Sequence, residues 1–159
     1  MPFIIDGYNL LRVVEKSVDS PEYINDVRLC LVVDRFLSLV YDKGEMIFDG
    51  IGPPDKTGFN GLRNLEVVFS GQRREADDVI EDKIVADSAP RRLKVVSSDR
   101  RLRSAAKSRK AESIKSEGFW SQIKKELSRK PKVSEPVAKR FGISELETEE
   151  WMKLFGFRK

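Results

Sequence analysis

The sequence predicts an α/β protein of three layers, with helices on both faces of a mostly parallel central sheet. Three observations lead there. Short apolar runs rich in β-branched residues alternate with segments of helical periodicity, the pattern of βαβ units. Three of these runs stop on an aspartate, at Asp6, Asp49 and Asp99. The chain has 159 residues, 40% hydrophobic and 35% charged, which suits one buried core under a charge-rich exterior.

The first strand is expected over residues 2–6, where "PFIID" runs into Gly7, a residue that permits a sharp turn or a close approach. Ser20-Pro21 has the form of a helix start, and an apolar helix should follow from about Pro21 to Asp42, closed by Gly44 in a left-handed conformation. "EMIFDG" (45–50) is the second strand, and the Pro/Gly-punctuated "IGPPDKTGFNG" is a loop. "LEVVFSG" (65–71) is the third strand. Val79, Ile80 and Ile84 share helical spacing, so a helix should begin near Asp77 and be closed by Pro90. "RRLKVVSSD" (91–99) is the fourth strand, "RRLRSAAKSRK" a short basic helix and "AESIKS" a fifth, edge strand. Ser116 opens a capping-box-like helix with Phe119, Trp120 and Ile123 on one side. A linker-like stretch and an amphipathic tail carrying Leu146, Trp151, Leu154 and Phe155 complete the chain.

Absent residue types exclude whole classes of chemistry. The chain has no histidine, which removes Ser-His-Asp triads, Cys-His dyads and imidazole metal sites. Its one cysteine, Cys30, forms no intramolecular disulfide and no thiolate zinc cluster. No apolar stretch approaches the roughly 20 residues that span a bilayer. The first residues show no basic segment followed by an apolar one, so a cytoplasmic protein without a secretory signal is expected.

A net charge of +4 conceals an asymmetry: residues 91–132 hold 15 Lys or Arg against four acids, leaving 15 against 22 elsewhere. Such a block is either a solvated surface or a face for a polyanion.

In an open parallel sheet the functional crevice lies beyond the carboxyl ends of the strands. Asp6, Asp49 and Asp99 end three different strands there, and Asp77 and Asp78 open the helix after the third. Taken singly, an Asp after a strand is a turn or cap residue; repetition on one edge calls for another reason. Clustered carboxylates repel unless a cation sits among them, and oxygen donors alone suit Mg²⁺ or Mn²⁺. Such an ion activates water and polarises a phosphoryl oxygen without any histidine. Asn9 is expected either to hold a ligand or to cap a helix. Tyr8 is expected to pack, and Ser97 and Ser98 to steady Asp99, contact phosphate or bond locally to the backbone. A basic block beside this edge would hold a phosphate backbone. A small phosphorylated substrate would share the metal logic but leave the basic block without a role. A nucleotide-binding Rossmann protein is disfavoured by the absence of spaced glycines after the first strand and of any Walker A sequence.

The pieces "FIIDGYNLL", "MIFDG", "VVFSG", "READDVIEDKI" and "LKVVSSDRRLRSAAKSRKAESIKSEGFWSQI" occur in this order over roughly residues 2–125. Together they resemble the NYN branch of the PIN-like nuclease superfamily, most closely the YacP-like NYN proteins. The resemblance implies a PIN-like α/β/α fold over residues 1–130; residues 131–159 lie outside its pattern, and the amphipathic, aromatic-rich register of the tail predicts a C-terminal helical extension packed back on the domain. It further implies a Mg²⁺- or Mn²⁺-dependent endoribonuclease in which Asp6, Asp77 and Asp99 ligate the ion and Asn9 completes the catalytic set. Asp49, Asp78, Ser97 and Ser98 support that set, with Asp78 a helix cap or indirect partner. Arg100, Arg101, Arg103, Lys107, Arg109 and Lys110 would engage RNA, with the ribosome as a candidate setting. The other reading is a non-catalytic RNA-binding or ribosome-associated module that retains the acids.

Overall fold

The computed structural model describes residues 2–19 and 24–129. Five strands, β1 (Phe3–Asp6), β2 (Gly44–Phe48), β3 (Leu65–Phe69), β4 (Lys94–Val96) and β5 (Glu112–Ile114), form one sheet in the order β3-β2-β1-β4-β5. Every pairing is parallel, with Ile5 of the central strand beside Met46 on one side and Val96 on the other. The helices among the described residues are α1 (Gly7–Ser17), α2 (Asp26–Leu39), α3 (Ala76–Ala86), α4 (Arg100–Ser108) and α5 (Ser116–Ser128).

Strand alternation divides the core in two. Phe3, Ile5, Met46, Phe48 and Val96 face one side and pack with residues of α1, α2 and α5, including Leu10, Phe36 and Phe119. Ile4, Ile47 and Val95 face the other and meet Ile80 and Ile84 of α3 and Leu102 and Ala106 of α4. With the inner strands β1, β2 and β4 buried on both faces, their continuous apolar runs in the sequence follow directly. The chain steps outward from β1 through β2 to β3, then crosses back to β4 and β5. Right-handed crossovers therefore put α1 and α2 on one face and α3 and α4 on the other.

The three-layer architecture is as the sequence predicts, but several boundaries move. Helix α1 was not expected: the strand passes into it without a loop, and its buried Leu10, Leu11 and Val14 provide the helical stripe. Helix α2 begins at Asp26, not Pro21, capped by Asn25, whose side chain accepts from the Arg28 amide at 2.9 Å; Ser20 and Pro21 lie outside the described residues. It ends at Leu39, and Tyr41, not Gly44, takes the left-handed conformation (φ 57°). Gly44 instead starts β2, where an added Cβ would lie 3.2 Å from Leu37 and from Phe3. Helix α3 stops at Ala86, so Pro90 opens a separate 3-10 turn, Pro90–Arg92. The fourth strand shrinks from the expected 91–99 to three residues. Ser116 lies inside α5 and does not cap it; Lys115 holds the cap position. The linker-like stretch and the amphipathic tail fall outside the described residues.

One buried acid serves the fold and not the site. Asp34 of α2 is 4% exposed, and its Oδ1 accepts from the backbone amides of Arg63, Asn64 and Leu65 at 3.1, 2.7 and 3.0 Å. It fixes where β3 begins. Asp34→Ala strands these amides and should lower the unfolding free energy by roughly 3 kcal/mol in a urea titration; a change under about 0.5 kcal/mol contradicts the assignment.

Candidate functional site

The chain leaves β1 toward one face of the sheet and β4, its neighbour, toward the other, so a crevice opens between their carboxyl ends. Asp6 is the last residue of β1, and Asp99 caps α4 just beyond β4, accepting from the Arg101 amide at 2.8 Å. Gly7 makes the sharp exit from β1 possible: an added Cβ would lie 2.5 Å from the Phe48 ring and 2.9 Å from the Ile47 carbonyl oxygen. Asp6, Asn9, Asp49, Asp77 and Asp99 all line one cavity of about 490 Å³, together with Tyr8, Arg12, Glu75 and Ala76. A larger cavity of about 840 Å³ lies at the opposite, amino-terminal rim. It lacks the strand-end acids, and its Glu45 is already paired with Lys83 at 2.5 Å.

Hydrogen bonds hold the acids in place. Ser97, 1% exposed, donates through Oγ to Asp6 Oδ2 at 3.0 Å and accepts from the Asp99 amide at 3.0 Å, so one hydroxyl links both strand ends. Its burial leaves it no contact with a substrate phosphate. Asp49 Oδ1 accepts from the Ala76 amide at 3.0 Å and from Ser70 Oγ at 3.3 Å, which pins the start of α3 and so the position of Asp77. Asn9 does not cap a helix. Its Oδ1 accepts from the Ser98 amide at 2.9 Å and from Ser116 Oγ at 2.5 Å, tying α1 to the β4 exit and the start of α5. Ser98 Oγ donates to Glu117 at 2.6 Å and accepts from the Ser116 amide at 3.1 Å, so it braces that junction. Tyr8 packs edge-on against Phe48, ring centroids 5.0 Å apart.

The remaining residues divide. Asp78 is absent from the cavity wall; it completes a capping box with Glu75 and pairs with Arg101 at 2.7 Å. Arg101 also grips Glu81 through two bonds of 2.6 and 3.0 Å, so its charge is already matched. Its guanidinium thus joins α4 to two acids of α3. Arg109 donates to the carbonyls of Val85 and Asp87, joining the ends of α3 and α4. Arg103 is half-buried, while Arg100, Lys107 and Lys110 are exposed along α4 and its end. Arg12 and Glu75 are not singled out in the sequence, and Ser116 is read there only as a helix cap. Arg12 follows Asn9 by three residues and Tyr8 by four, a signal legible only once α1 is known to be a helix.

The electrostatics are those of acids confined together. Burial, reinforced by the charges of Asp77 and Asp99 and opposed by the Ser97 hydrogen bond, pushes the Asp6 carboxyl up to about 6. Burial and then Asp99 raise Asp77 too, against the pull of Arg101. The Arg101 hydrogen bond lowers Asp78. Among the described residues no three His, Cys, Asp or Glu side chains stand close enough to hold an ion, so no closed cage is preformed. The donor chemistry nevertheless fits a hard divalent cation. All the candidate donors are oxygens, and Asp6 is buried with no basic partner in its hydrogen bonds or ion pairs. An ion that binds through one or two carboxylates and keeps several waters needs no cage.

Comparison with known proteins agrees with this architecture. The family model of the YacP-like NYN domain matches residues 3–158. The chain belongs to the YacP-like NYN domain family. The match extends well past the last motif quoted above, through the C-terminal region. Two solved structures of Rae1 (YacP) from Bacillus subtilis share the fold. The W164L mutant matches with a TM-score of 0.59 and 17% identity over 95% of this chain and 98% of that one. The other matches with 0.63 and 18% over 79% and 75%. No curated protein matches the sequence significantly. No helix among the described residues of this NYN domain is long and apolar enough to cross a membrane.

The raised Asp6 carboxyl has a definite sign in stability. Between about pH 4 and 6 the folded NYN domain binds more protons at Asp6 than the unfolded chain does, so stability falls as pH rises through that window and the loss is complete above it. Asp6→Asn should therefore stabilise the protein at pH 7 in EDTA by roughly 2–3 kcal/mol relative to its effect at pH 4, read from urea unfolding. Equal effects at both pH values would contradict the burial of a charged Asp6.

Proposed function

We propose that this NYN domain is a metal-dependent endoribonuclease. The observation that carries the reading is the meeting of Asp6, Asp77 and Asp99 on the wall of one cavity at the switch point of a parallel sheet. Asp6, Asp77 and Asp99 hold Mg²⁺ or Mn²⁺, directly or through water. A bound ion supplies a water of lowered pKa and positive charge beside the phosphorus. Ser97 orients Asp6 and ties it to Asp99; Asp49 fixes the start of α3; Asn9 keeps the α1–β4–α5 junction closed. Exposed Arg100, Lys107 and Lys110 attract the RNA backbone, while Arg101 shapes the site through Asp78 and Glu81. The setting is cytoplasmic, with the ribosome a candidate location.

One observation favours a second reading: the absence of a closed trio of ligands among the described residues suits an RNA-binding module that has kept its acids.

Purified protein incubated with Mn²⁺ and a labelled RNA pool separates the two. Cleavage lost on adding EDTA, and lowered at least 100-fold by Asp6→Asn or Asp99→Asn, is the expected outcome. RNA retained on the protein but uncut supports the binding module. In a thermal melt Mn²⁺ should raise the midpoint of the wild type and not of the double variant Asp6→Asn/Asp99→Asn.

A further inference from the structure

The acid cavity poses a problem for any phosphodiester. Among the described residues its wall carries five carboxylates, Asp6, Asp49, Glu75, Asp77 and Asp99, and one base, Arg12. A polyanion entering it meets strong repulsion, and a bound divalent ion offsets only part of that charge. The neighbouring guanidinium that could help, Arg101, is taken by Asp78 and Glu81. Arg12 is not taken. It is exposed on α1, one turn beyond Asn9, and no hydrogen bond or ion pair joins it to another described residue. A guanidinium on the rim of an acid-lined cavity, yet paired with none of those acids and with no other described residue, is placed to complement an anion brought in from solution. Its planar fork matches two oxygens of a phosphate at once.

We propose that Arg12 grips the phosphate that enters the acid cavity and, in the nuclease reading on which this rests, holds the one being cut. Arg12 is then a catalytic residue that touches substrate, and a place where this chain offsets the repulsion of its own acids.

The salt dependence of RNA binding is the decisive measurement. A labelled RNA oligonucleotide is titrated with the Asp6→Asn protein over a KCl series in Mg²⁺, and again with Asp6→Asn/Arg12→Ala. Loss of one phosphate contact should make the slope of log K against log salt shallower by about one. Alongside it, Arg12→Ala in the otherwise unaltered chain should lower kcat with Mn²⁺ by roughly 10- to 100-fold. Arg12→Lys should recover only part, because an ammonium lacks the two-pronged geometry. Arg63→Ala, at the opposite rim and outside the basic block, should leave kcat unchanged. An unchanged slope overturns the proposal whatever the cleavage assay shows. A shallower slope with an unchanged kcat moves the contact to a flanking phosphate outside the cavity and also overturns it. If the wild type cuts no RNA while the slope still depends on Arg12, the phosphate grip stands and the nuclease reading falls.

Discussion

The Asp6 carboxyl, buried at the end of the central strand, is the constraint around which the rest of the site is arranged. A carboxylate in that position loses its water and faces two like charges, so it is held only by what the fold brings to it. Ser97 supplies that support from β4, and the same hydroxyl receives the Asp99 amide. The strain of like charges and the linkage of two strand ends therefore meet in one serine. A cation among such acids would relieve their repulsion, and this is the part that the proposed function gives it.

Around that centre, each helix start does a different task. Helix α1 begins directly on the strand because Gly7 allows the backbone to pass against Phe48 and Ile47. Helix α3 begins where Asp49 holds the Ala76 amide, and this sets Asp77 on the cavity wall. Helix α4 begins on Asp99 itself, and α5 is drawn in by Asn9 through Ser116. Acids and amides at the strand ends thus act as structural anchors and as candidate ligands at once. The two roles are compatible because a carboxylate has two oxygens, each with more than one lone pair.

The distribution of cations follows the same division of labour. Arg101 and Arg109 sit in the basic block of the sequence, yet the fold uses both to join α3 to α4. Arg12 lies outside that block, in a stretch of unremarkable charge, and reaches the cavity through the helix that follows β1. Counting charges along the chain locates a basic region; only the packing of helix against helix says which guanidinium remains available.

The amino-acid sequence by itself determined the layer architecture and the edge of the sheet at which the acids gather. Both depend on local patterns: apolar runs of strand length, helical spacing between them, and an Asp at the end of three runs. It also carried the family resemblance, since the motifs stand in a fixed order along the chain. Helix α1 was hidden because the strand passes into it without a loop, and the αL position at Tyr41 because it is set by how the chain turns toward β2; the cap at Asn25 is a local contact with the Arg28 amide, a signal that Ser20-Pro21 outweighs in the sequence. Nor was the role of Asp34, whose partners lie about thirty residues away. The tertiary structure alone decided that Ser97 couples Asp6 to Asp99, that Asn9 closes a three-element junction, that Arg101 is spent on acids and that Arg12 pairs with no described residue. These are contacts between residues distant in sequence, and hydrogen bonds and ion pairs act over a few ångströms of space, not along the chain.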